Sequence, residues 1–175
     1  MSKLTKWERI KDEVQHLKDI SGMSVDLEIA ETVAVLRYLD INTTASCAGH
    51  LDRITRGPYI VFLAPQIPQL RLQMKQIGDR KKNEYKIVLN QAKHHNVLEI
   101  QTLFPYLEAF YSNRIVPYNQ RIIIECFSHG DNTLLCQGVE LAHILNQEER
   151  IELLKHNQEE MSAFTQFVKN KLELE

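Results

Sequence analysis

The sequence predicts an α+β fold: a small, largely antiparallel sheet of about four strands packed with several helices, the last of them long. Three observations predict it. Short strand-like runs stand at 41–46, 58–64, 121–127 and 133–137, the first of them rich in β-branched residues. Apolar residues recur at helical spacing from Ile151 to Leu172. Similar periodicity fills much of the chain between the strand runs, which places helices on one face of the sheet.

Residues 4–20 read as a helix, with Leu4, Trp7, Ile10, Val14 and Leu17 spaced by three and four, and Ser21-Gly22 ends it. Ser24 is a good N-cap for a second helix, with Asp26 and Glu28 in its first turn and its end near Leu39-Asp40. Ile41 to Ser46 reads as a strand, residues 47–57 as a loop, and Pro58 to Ala64 as a second strand. From Pro65 to Asn113 the chain is mostly helical, with a break at Gly78-Asp79-Arg80-Lys81-Lys82. In the strand at 121–127, Ile122, Ile124 and Cys126 face one way, while Arg121, Ile123, Glu125 and Phe127 face the other. Gly130-Asp131-Asn132 turns it into its antiparallel partner, Thr133 to Gln137. Asn146 caps the last helix, and Glu149 completes a capping box.

The 175 residues fit one domain, 1–175, and are enough to bury a core without staples. The net charge of −2 speaks against a globally basic nucleic-acid binder but leaves a local patch, and hence nucleic acid, open. Three cysteines, Cys47, Cys126 and Cys136, do not make a disulfide framework. The first residues read as a charged helix rather than a signal peptide, and no apolar run approaches the roughly 20 residues that span a membrane. The expected setting is therefore cytoplasmic, with no membrane partner.

The turn Ser46-Cys47-Ala48-Gly49-His50 carries the most chemistry. A strand end opening into a loop displays side chains. Cys47 supplies a nucleophile or soft ligand, His50 a base or ligand, and Ser46 a hydroxyl, while Gly49 allows unusual backbone or close approach of a ligand. Arg53 and Arg56 follow and suit an anion. The alternative is an inert buried cysteine beside a glycine turn. Cys47 and His50 are the catalytic candidates. Ser46, Gly49, Arg53, Arg121, Gln137 and Glu140 are the ligand-binding candidates, the last three from neighbouring strands.

Two C-x-x-H pairs, Cys47 with His50 and Cys126 with His129, together offer a permitted zinc set. Against it, Cys126 fits the apolar face of its strand. Gly138, after the last strand, suggests a bend or close backbone approach. Arg121 and Glu125 share a strand face, as a ligand-facing pair or a surface ion pair. The familiar phosphate-loop, dinucleotide, zinc-protease and serine-hydrolase signatures are absent.

Two resemblances add to this. Val25-Asp26, Thr43 through Asp52, and Pro58-Tyr59 resemble a bacterial family with an S-C-x-G-H signature, as do Leu134 through Leu141 and Glu160 through Thr165. That family implies no particular activity, but it singles out the turn together with Gln137, Gly138 and Glu140. Ser24, Asp26, Ser46, Cys47 and Gly49 are similar to the N-terminal signature of Taw3-type tRNA methyltransferases, where His50 stands in place of an Arg. That likeness covers about a quarter of the chain and implies S-adenosylmethionine and RNA.

Three functions are thus expected. The first is a small-ligand-binding protein with its site at the Cys47–His50 turn, whose reactive residues, as an enzyme, are Cys47 and His50. The second is an S-adenosylmethionine-dependent RNA-modifying enzyme. The third is a zinc-binding or homo-oligomeric interaction module whose terminal amphipathic helices pair two protomers.

Overall fold

The computed structural model describes residues 3–18, 22–52, 57–127 and 130–174. Helix α1 (Lys3–Gln15) buries Trp7, Ile10 and Val14. It stops short of the predicted 4–20, because the chain bends away and Lys18 pairs with Ser24 in an isolated antiparallel bridge. Part of the predicted C-terminal turn, residues 19–21, lies outside the described residues.

That bridge also explains a shifted cap. Ser24 is committed to it, so the N-cap of α2 (Leu27–Tyr38) is Asp26, with extended φ −61° and ψ 136°. Helix α2 buries Ile29, Thr32, Val33, Ala34, Val35 and Leu36. It ends as expected near Asp40, which takes a positive φ of 61°.

The sheet consists of β1 (Thr43–Cys47), β2 (Tyr59–Phe62), β3 (Ile122–Phe127) and β4 (Asp131–Cys136). Their order is β1-β2-β4-β3, and every neighbouring pair is antiparallel. Cys47 is in register with Tyr59, Tyr59 with Leu135, and Leu135 with Ile123. The end of β1, the start of β2, the end of β4 and the start of β3 therefore share one end of the sheet.

Ile60, Phe62, Ile122 and Leu134 belong to one buried core with residues of α1, α2, α5 (Phe104–Tyr111) and α6 (Gln147–Leu172). On the other face Ala45, Val61, Thr133 and Glu125 lie in one register row and are half-buried. The main helical layer thus covers one face, as an α+β sheet with alternating strands requires. Helices α3 (Ile67–Ile77) and α4 (Asn83–Gln101) pack on each other around a second, smaller cluster, and Gly78 (φ +70°) makes the break between them.

Helix α6 opens with a complete capping box. The Asn146 side chain accepts from the Glu149 N–H at 3.0 Å, and the Glu149 carboxylate accepts from the Asn146 N–H at 2.9 Å. Such a cap stabilises a helix by about 1 kcal/mol. Met161, Phe164 and Val168 are buried against the chain's own core, whereas Ile151 is exposed. The stripe that suggested pairing of two protomers is thus largely spent within the fold. Among the described residues no helix is long and apolar enough to cross a membrane.

A candidate thiol, imidazole and carboxylate site

Helix α2 and strand β1 bring three donors together. Asp26 stands at the N-cap, yet its side chain makes no cap hydrogen bond. Its Oδ2 instead accepts from the Ala48 N–H at 2.9 Å and lies 3.1 Å from His50 Nε2. A ligand atom from each of Asp26, Cys47 and His50 lies within 4.8 Å of the others. Cys47 is buried, while the side chains of Asp26 and His50 keep 24% and 34% exposure, so the group opens to solvent on one side.

The backbone of the turn is fixed from several directions. The Gly49 N–H points at Cys47 Sγ at 3.4 Å. Gly49 itself has φ +86°, and a Cβ there would lie 2.7 Å from Leu154 Cδ1 and 2.8 Å from the Gly57 carbonyl carbon. Only glycine meets both demands. From α6, Gln158 Nε2 donates to the Ala48 carbonyl at 3.0 Å. Asn157 packs its buried side-chain amide beside Gly57, and its main-chain carbonyl accepts from the Cys136 thiol at 3.7 Å. Cys136 belongs to the core, where burial pushes its thiol up to about 12.

The remaining predicted residues are distributed unevenly. Ser46 sits in β1 opposite Ile60, beside a small cleft that Asp26 also lines. Arg53, Arg56 and His129 lie outside the described residues. Gln137 and Arg121 share the end of the sheet with the turn, but on the far strands. The Gln137 N–H donates to the Arg121 carbonyl at 2.8 Å. The Arg121 side chain turns away, with Nε donating to the Val116 carbonyl at 3.0 Å and its guanidinium over the Tyr111 ring. Glu140 is exposed and pairs with His143 at 3.3 Å. The structure therefore does not join Arg121 or Glu140 to the thiol and imidazole.

The paired C-x-x-H reading needs a correction. Cys47 and Cys126 lie on opposite edge strands, three strand spacings apart, or about 14 Å. Along the strands Cys126 is three residues beyond Ile123, the residue level with Cys47, which adds about 10 Å. No single ion spans that separation. Cys126 is also exposed rather than core, because burial falls along β3 from Ile122 outward.

Sequence reasoning placed Asp26 in a helical first turn and passed over Gln158 and Asn157. The signal for Asp26 was its place in both resemblances, beside the S-C-x-G-H turn in one and with Ser46, Cys47 and Gly49 in the methyltransferase-like pattern of the other. Comparison with family models, curated proteins and solved structures finds no match.

Proposed function

We propose that this protein binds a small ligand through a zinc-class metal ion held by Asp26, Cys47 and His50. The observation that carries this reading is the mutual approach of the three donor atoms within 4.8 Å. Thiolate, imidazole and carboxylate are the ordinary zinc ligands, and three protein ligands leave a fourth position for water or substrate. The 3.1 Å between Asp26 Oδ2 and His50 Nε2 is near the roughly 3.3 Å that two ligands at about 2.0 Å from zinc subtend in a tetrahedron. The Ala48 N–H on the carboxylate and the Gly49 N–H on the sulfur are the kind of outer contacts that orient metal ligands. Bound there, the metal would act as a Lewis acid on a small substrate.

The test is cobalt(II) titration of metal-free protein. Stoichiometric binding with a thiolate-to-cobalt absorption band, abolished in Cys47→Ser and weakened at least tenfold in Asp26→Asn and His50→Ala, is the expected result. Absence of binding in the wild type overturns the reading.

The Asp26–His50 contact favours a second reading without metal. In the neutral ring the nitrogen facing the carboxylate carries the proton, which leaves Nδ1 as the lone-pair donor. His50 then serves as base for Cys47, with Asp26 orienting the ring. This reading predicts loss of turnover in Cys47→Ser with no change in metal content. S-adenosylmethionine, which the methyltransferase resemblance implies, belongs in the ligand panel for either reading.

A further inference from the structure

Between α2 and β1 runs a cleft of about 80 Å³. One end is made by Asp26 and Ser46, next to the Cys47–His50 turn, and the other by Arg37 and Thr43. Eleven residues of helix separate Asp26 from Arg37, or about 16 Å. The four steps from Thr43 to Cys47 cover about 13 Å of strand beside it. The cleft thus runs from Asp26, one of the three donors, to Arg37.

The other end holds a cation, Arg37, whose hydrogen bonds go to neutral acceptors. Arg37 is half-buried, and Nε donates to Thr43 Oγ1 at 2.9 Å and Nη2 to the Thr43 carbonyl at 3.1 Å. Both acceptors are neutral, and among the described residues Arg37 forms no salt bridge. Glu13, whose charge reaches Arg37, is itself held by Arg9. Burial lowers the Arg37 pKa, the mark of a charge removed from water without full compensation. Buried charge is ordinarily paired. Thr44 adds a hydroxyl to the cleft wall, while Lys18 and Ser24, paired with each other, stand toward the Asp26 end. Asp26 is the acidic group of the lining, but its Oδ2 already faces the Ala48 N–H and His50 at the far end.

We propose that the Arg37 end of this cleft is an oxyanion subsite, and that the ligand is a small elongated molecule whose terminal carboxylate or phosphate sits on Arg37. A guanidinium fork is suited to either oxyanion. The other end of the ligand then reaches the Asp26, Cys47 and His50 donors. This placement rests on the proposed function, whereas the anion subsite itself can be tested without it.

The experiment is thermal unfolding of protein stripped of metal on a chelating resin, titrated with inorganic phosphate and with acetate against sodium chloride of matched ionic strength. A ligand that binds only the folded state raises Tm. A Tm rise with phosphate or acetate beyond that with chloride is the expected result. The more effective of the two assigns a phosphate or a carboxylate as the natural terminus. The rise should vanish in Arg37→Gln and persist in Lys75→Gln, an exposed cation on α3. Arg37→Gln also removes two bonds to Thr43, so Arg37→Lys, which keeps the charge and loses the guanidinium fork, provides a milder variant, in which apparent affinity should fall at least fivefold. Equal responses to all three salts, or a response unchanged in both cleft variants, overturns the subsite. Anion binding without cobalt binding would leave the subsite standing and remove the metal reading. Cobalt binding without an anion response would do the reverse.

Discussion

The carboxylate of Asp26 is spent on the turn that follows β1, accepting from the Ala48 N–H at 2.9 Å and facing His50 Nε2 at 3.1 Å, although Asp26 occupies the N-cap of α2. An N-cap aspartate ordinarily closes its own helix. Here it ties the helix start to a segment 22 residues away. Ala48 is buried, so removing the acceptor leaves a buried N–H without its partner. Asp26→Ala should lower stability by about 1–3 kcal/mol in urea unfolding. Amide exchange should accelerate at Ala48 and His50 more than in α2; faster exchange throughout α2 with the turn unchanged would show an ordinary cap.

Gly49 tests how tightly the turn is built. Gly49→Ala would combine a left-handed alanine with a Cβ pressed on Leu154 and on the Gly57–Pro58 backbone. The conformation costs about 1 kcal/mol and the overpacking about 1–3 kcal/mol more. A variant as stable as the wild type in urea would mean that the turn does not adopt this backbone.

The three thiols should differ in reactivity. Cys126 is exposed and should alkylate first. Cys136 is buried and its thiol is pushed up to about 12, so at pH 9 only about one molecule in a thousand carries the thiolate there. It should stay unmodified in the folded protein. Zinc should slow alkylation of Cys47 and leave Cys126 unaffected, as read by mass spectrometry of peptides. Equal protection of both would indicate a different metal site.

Gly138 sits where the exit of β4 crosses the chain near Asn119. A Cβ there would run into the Asn119 carbonyl oxygen. The close backbone approach expected from a glycine after this strand is what the structure contains. Gly138→Ala should lose about 1–3 kcal/mol. Thermal unfolding is the measurement, and an unchanged Tm would contradict the packing.

Asn157 points the other way. Its side chain is fully buried, and neither amide atom has a hydrogen-bond partner among the described residues. An apolar replacement of similar shape removes a desolvation cost. Asn157→Leu should therefore match or exceed wild-type stability, by up to about 2 kcal/mol in urea unfolding. A loss of that size would show that the amide is satisfied in solution.

The sequence by itself determined the local features. The capping box of Asn146 and Glu149, the helix break at Gly78 and the strand at 121–127 depend on neighbours within a few residues, and each was legible as a pattern. So was the turn at Cys47 and His50, because three positions of separation are close in any conformation. Where the pattern misled, a distant partner had intervened. Ser24 lost its cap to a bridge with Lys18, and Cys126, patterned as core, lies where the helical layer no longer covers β3. Only the tertiary structure decided which charges meet. It brought Asp26 of α2 to the turn and set Cys47 and Cys126 on opposite edges of the sheet. It also aligned Arg37 with the same cleft as Ser46. Strand order and helix docking follow from the burial of many side chains at once, and that collective term leaves no mark on the spacing of any one pair of residues.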